Sequence, residues 1–302
     1  MGGLQSRQSS AAKAVPHEEH TMALYGIAER EIKWMQHRCI RTMENNFMIK
    51  TLKKYRFLLS RLIKRDFIQK YKKTTFGVLW SVLNPLFEFF TLMLIFQNMF
   101  GRDTPHFTTY LIIGVLIYSF YTNATTQGMQ SFLFNSSIIN KIKLPIWLFP
   151  LSKNISAGLN FLITCLVMVL FMFIDNITFT WNLLFLLYPF VLLFFFNLGV
   201  SMILATMFVF FKDTSYLYNI FNRLLYFCCA IFWTVDRFPE NAQKYLMINP
   251  VYDFILYTRT VIIDGVIPGM DLHLILLGYT LAVTLIGLLV YNCNKKKFIF
   301  YL

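Results

Sequence analysis

The chain has 302 residues, of which 57% are hydrophobic, 18% aromatic and only 14% charged, and its formal net charge is +13. Soluble domains average about 25% charged residues, so the composition argues against a water-soluble globule and equally against a disordered or fibrous chain. Thirty-three Phe exceed what one soluble core hides, and the surplus must face lipid, other spans or an apolar conduit.

Residues 1–21 are polar and carry no apolar core of a secretory signal. Met1-Gly2 with Ser6 fits an N-myristoylation pattern, one short enough to arise by chance. Residues 22–47 read as a peripheral helix or an ordered extension. Residues 50–73 hold ten Lys and Arg. At 100° per residue Tyr55, Leu58, Leu59, Leu62, Ile63 and Phe67 share one face, and Lys54, Arg61, Lys64, Arg65 and Lys72 share the other. That pattern predicts an amphipathic helix lying in a membrane interface. Asp66 and Lys70 fall on its apolar side, four apart, in the order that favours an ion pair.

Six apolar runs follow, each long enough to cross a hydrocarbon core of about 30 Å. They cover residues 84–100, 108–128, 154–174, 183–211, 214–233 and 272–292. Asn84-Pro85 marks the start of the first, where the proline breaks one helical run or opens the next. Arg223 interrupts the fifth, and Lys295-Lys296-Lys297 closes the sixth. Lys141, Lys143, Lys153 and Lys212 fall on the same side as the basic N-terminal region, so the cation bias predicts both termini in the cytoplasm. The same bias explains the +13 charge through topology and anionic headgroups rather than nucleic acid. Residues 234–271 hold two apolar pieces, 245–248 and 251–263, split by Asn249-Pro250. Neither is long enough to cross, which predicts short external re-entrant helices, the alternative being a small external cap.

No phosphate-cradling GxxxxGK[ST] loop, HExxH or GxSxG occurs. The five cysteines (Cys39, Cys165, Cys228, Cys229, Cys293) and five histidines lack metal-ligand spacing. Glu88 is the clearest acid inside a span, too little for a proton relay.

Five segments, in order, resemble the transmembrane permease subunits of ATP-binding-cassette exporters of lipid-linked polysaccharide, O-antigen and wall teichoic acid. SRLIKRDFIQKYKKTTFGVLWSVLNPL (60–86) is similar to the family's basic interface helix, running through G-x-x-W-x-x-x-x-P into the first span. YLIIGVLIYSFY (110–121) resembles its second span, and NSSIINKIKLPIWLFPLS (135–152) its cytoplasmic segment. FFKD (210–213) and MINPVYDFILYTRTVIIDG (247–265) resemble its turn between spans four and five and its external helices. Residues 1–46 extend beyond the family's usual N-terminus, and Leu144-Pro145-Ile146 stands where many members place an aromatic residue before the proline.

The resemblance implies an all-α integral membrane protein with six transmembrane helices. It divides the chain into a cytoplasmic extension, 1–46, and a permease domain, 47–302, with an interface helix at 50–73, a coupling segment at 134–150 and the re-entrant segment at 234–271. It implies a homodimer in the bacterial cytoplasmic membrane, completed by two separate ATPase subunits. Those subunits would carry ATP and magnesium, leaving this chain non-catalytic and without a cofactor of its own. The implied cargo is a polyprenyl-diphosphate-linked polysaccharide or teichoic acid moved outward. Ser136, Ile138, Asn140, Lys141 and Lys143 are then the ATPase contacts, with Ser136-Ser137 as an N-cap. Arg61, Lys64 and Arg65 either bind anionic lipid alone or also attract the diphosphate. Arg223 would meet an acid or a substrate phosphate. Phe89, Phe90, Phe96, Tyr118, Phe120, Tyr121, Tyr218, Tyr226, Phe227 and Trp233 form the sugar-stacking set. The alternatives are a drug or lipid exporter of the same fold, or a membrane-embedded lipid or glycan transferase, which would need clustered acids or histidines at one membrane face.

Overall fold

The computed structural model describes residues 45–71, 76–100, 105–141, 144–235 and 248–301, with Pro239 and Gln243 besides. The expectations for residues 1–44, Lys72, Arg102, Lys143 and most of 236–247 lie outside the described residues. The chain divides into two compact units, Met1–Lys50 and Thr51–Leu302. Of the first, only the helical residues 45–50 are described.

All regular structure among the described residues is helical. Helix α1 is Asn45–Tyr71. A 3₁₀ turn at Gly77–Leu79 leads into α2, Trp80–Phe100. Gly77 has φ 52°, a left-handed conformation that a side chain would strain, so this glycine permits the turn that leads into α2. Pro85 lies inside α2 rather than at its start. Its ring costs the carbonyl four residues back one backbone partner, which an early position in the helix tolerates.

Helix α3 is Phe107–Phe134, α4 is Ser136–Ile139 and α5 is Leu148–Ile174. A 3₁₀ turn at Trp181–Leu186 precedes α6, Leu187–Phe210. Then come α7, Thr214–Cys228, α8, Pro250–Ile262, α9, Met270–Asn294, and α10, Phe298–Tyr301. Asn249 caps α8 by accepting from the Val251 amide at 3.0 Å, with Pro250 in the first turn.

The uncharged helix α3 is the buried centre, packed between α5 and α6, with α2 and α8 also against it. A helix apolar or neutral all round is buried on every side. Helix α9 packs along α6, and the two backbones meet at a glycine pair. A Cβ on Gly287 would lie 2.6 Å from the Gly199 carbonyl oxygen, a close approach typical of helix contacts in lipid.

Five helical segments are long and apolar enough to cross a membrane: Gly77–Gln97, Phe107–Phe134, Leu148–Ile174, Trp181–Phe210 and Met270–Asn294. The expected span at 214–233 differs. Its helix, α7, has 15 residues, about 22 Å at 1.5 Å per residue, and stops at Cys228. Ala230 then adopts φ 47°, outside any helix.

That break is held by a residue far away in sequence. Arg259 of α8 is 5% exposed. It donates to the carbonyls of Ala230 at 2.9 Å, Ile231 at 3.0 Å and Tyr110 at 3.0 Å. Its guanidinium lies 3.4 Å from the centre of the Tyr110 ring. The Tyr110 hydroxyl donates to the Trp233 carbonyl at 2.8 Å. Orphan carbonyls after α7 are thus satisfied by one cation, and α8 is fixed against α3.

Candidate functional site

Two apolar clusters fill the bundle. The smaller gathers Leu62 of α1, Phe132 of α3, Ile139 of α4, Phe149 of α5, Val209 of α6 and Phe298 of α10. It lies at the end of the molecule that carries Lys141, Lys212 and Lys295–Lys297, and it brings α1 and the corner between α3 and α4 into one packed unit.

A polar hub completes that unit. Asp66 is one turn beyond Leu62 on the same face of α1, and its side chain is 2% exposed. Its carboxylate pairs with Lys153 at 3.0 Å and with Arg65 at 2.9 Å, and accepts from the Ser152 hydroxyl at 3.3 Å. Arg65 also donates to the Asn135 side-chain oxygen at 2.8 Å. The Asn135 amide in turn donates to the Ser131 carbonyl at 2.7 Å. A buried carboxylate needs such partners to stay charged. Together they tie α1 to the second turn of α5 and to the corner between α3 and α4.

Among the cations expected to meet a diphosphate, Arg61 and Lys64 are exposed, while Arg65 is engaged by Asp66 and Asn135. The Arg61 guanidinium sits 5.0 Å over the Phe57 ring. In the coupling segment Ser136 and Ile138 are half-buried, and Asn140 and Lys141 are exposed. The position before α4 is taken by Asn135, without a side-chain cap bond, rather than by Ser136 or Ser137.

The aromatic set separates into three groups. Tyr118, Tyr121, Tyr218 and Tyr226 meet between α3 and α7. Tyr226 stands edge-on to Tyr118 at 5.1 Å, and the Tyr218 hydroxyl donates to Thr125 at 2.6 Å. The Tyr118 hydroxyl donates to the Asn222 carbonyl. Phe96 extends this patch by stacking on Phe232 at 4.4 Å. Trp233 is buried and donates from its ring nitrogen to the Phe227 carbonyl at 3.2 Å. Phe89 and Phe120 are packed away against Phe171 and Phe161, both at 4.6 Å. Phe90, Phe227 and Arg223 are exposed, and Arg223 has no ion pair among the described residues.

Sequence reasoning missed the Lys153 partner of Asp66, because Lys70 offered a local one, and it gave Arg259 no role. The available signal for Arg259 was its place inside the apolar run 251–263, where a cation is costly unless paired.

Residues 58–261 match the family model described as ABC-2 type transporter. The chain is 28% identical over 246 residues to the O-antigen export system permease protein RfbA of Klebsiella pneumoniae, covering 80% of this chain and 93% of that protein. It is 20% identical over 255 residues to the RfbA protein of Myxococcus xanthus, covering 83% and 97%. It is 23% identical over 252 residues to the polysialic acid transport protein KpsM of Escherichia coli, covering 78% and 92%.

Proposed function

Because the chain belongs to the ABC-2 type transporter family, we propose that it is the transmembrane subunit of an ATP-driven exporter of a lipid-linked polysaccharide, working as a homodimer with two separate ATPase subunits. The likeness to O-antigen and polysialic acid permeases supports an envelope polysaccharide as the cargo. The observation that carries the mechanism is the hub at Asp66. A permease without a phosphate-binding loop must receive work through its cytosolic surface. Here the exposed Asn140 and Lys141 stand on a corner packed against the interface helix through Ile139 and Leu62 and bonded to it through Asn135 and Arg65. A push on α4 by an ATPase therefore displaces α1, and with it the first span, beyond the Gly77 turn.

In this reading the termini are cytoplasmic and the chain crosses six times. Helix α7 and the bent segment after it make the fifth passage, and α8 re-enters from the outside. The irregular backbone at 229–233 is tolerated at that depth because Arg259 and Tyr110 satisfy its carbonyls. Arg61 and Lys64 attract the diphosphate at the inner surface. The tyrosine patch between α3 and α7 offers ring faces and hydroxyls to sugars once that interface opens. The exposed apolar faces of α2 and α7, with Phe90, Leu94, Leu217 and Leu224, meet lipid and the second copy.

The test is co-purification with an ATP-binding-cassette ATPase from the native host. A stable complex whose ATP hydrolysis rises with lipid-linked glycan is expected. A chain that purifies without any ATPase, and leaves hydrolysis by added ATPase unchanged, would overturn the proposal.

A further inference from the structure

An apolar groove of about 830 Å³ opens between α1 and α5. Its floor is Leu59, Ile63 and Phe67, four residues apart on α1. Its wall includes Leu159, Leu162 and Leu166 of α5, which are 41%, 60% and 70% exposed. Along the floor runs a second row at the same spacing: Arg56, Ser60 and Lys64. Four residues advance a helix by about 6 Å, so two cations stand about 12 Å apart with a hydroxyl midway between them.

The groove is fixed from its flank. Leu62 and Asp66 lie beside the floor on the same broad face of α1, buried in the bundle, and the bond to Lys153 fixes the rotation of α1. The groove floor is therefore preset toward α5. Among the described residues no acid lines the groove, and neither Arg56 nor Lys64 has an ion-pair partner.

We infer that this groove seats one anionic phospholipid of the inner leaflet, with its acyl chains along the leucines of α5 and its phosphate on the Arg56–Ser60–Lys64 row. The volume lies within the range of about 300–1,000 Å³ common to small-molecule sites. A free phosphate would leave the leucine wall uncovered. A zwitterionic lipid would bring an ammonium against two cations with no acid to receive it. An anionic headgroup satisfies both, and each cation near such a surface contributes about a fivefold gain. The seat requires only the membrane and does not rest on the export reading, although Lys64 serves in both. A lipid held there braces α1 against α5 beside the Asp66 hub.

The test is lipid retention by the full chain in mild detergent, read by native mass spectrometry during titration with phosphatidylglycerol or phosphatidylcholine of the same chains. Saturable retention of one phosphatidylglycerol per chain is expected, with phosphatidylcholine bound far more weakly. Arg56→Gln with Lys64→Gln should weaken phosphatidylglycerol binding about 25-fold. Leu162→Trp, which fills the groove and leaves the cations in place, should weaken it as well, and Lys296→Gln at the distant cationic turn should leave it unchanged. Wild-type phosphatidylglycerol affinity in either groove variant, or equal affinity for phosphatidylcholine in the unaltered chain, would overturn the assignment.

Discussion

Asp66→Asn is the sharpest perturbation of the hub, because it keeps the shape of the side chain and removes only its charge. Removing one partner of a buried ion pair costs about 3–5 kcal/mol when the other charge stays trapped. Here the side chains of Lys153 and Arg65 remain 16% and 32% exposed, so both cations can turn partly toward water. A loss of about 2 kcal/mol follows. The assay is unfolding of the full chain in detergent, combined with a double-mutant cycle using Lys153→Gln. The cycle should return a coupling of about 1–2 kcal/mol. The variant should also lose export out of proportion to its stability, because α1 would no longer follow the corner at Asn135. A coupling within about 0.3 kcal/mol of zero would refute the reasoning, since Asp66 and Lys153 would then be neighbours without consequence.

Gly114→Ala places a Cβ 2.9 Å from the Arg259 guanidinium and 3.1 Å from Ile231, so thermal unfolding should show a loss of about 1–3 kcal/mol, reduced when Arg259→Leu is also present. In a cysteine-free background, Thr178→Cys should react with an impermeant thiol reagent from outside intact cells and Lys296→Cys should not; the reverse pattern would sink the orientation. Asn140→Asp with Lys141→Asp should weaken assembly with the ATPase at least tenfold in a pull-down titration while leaving the permease folded, and unchanged assembly would show that the coupling corner lies elsewhere.

The spans were legible because about 20 uncharged apolar residues leave little choice in lipid, and α3, α5, α6 and α9 follow their runs closely. The end of α7 was not. Residues 214–233 look uniform in composition, and what stops the helix at Cys228 is the turn at Ala230, supported by Arg259 about thirty positions later. The interface helix was legible from its two faces, but its docking was not. Asp66 and Lys70 have the spacing of a local pair, whereas the fold sets Asp66 on Lys153, 87 positions away. The same contact explains why Arg65, similar in sequence to its neighbours Arg61 and Lys64, is turned inward to Asp66 and Asn135. The sequence did not divide the aromatic set, because a Phe in a span reads alike whether it packs on Phe171, as Phe89 does, or faces outward, as Phe90 does.

Transport in a sealed membrane decides whether the chain exports glycan. Inside-out vesicles containing the chain and its ATPase would be loaded with lipid-linked glycan in the outer leaflet, and arrival of the glycan in the lumen would be measured with and without ATP. ATP-dependent, lumen-protected glycan is expected, lost when Arg61 and Lys64 are both changed to Gln and when Asp66→Asn uncouples α1 from its corner. Glycan that stays accessible outside despite active ATP hydrolysis by the assembled complex would contradict the proposed export.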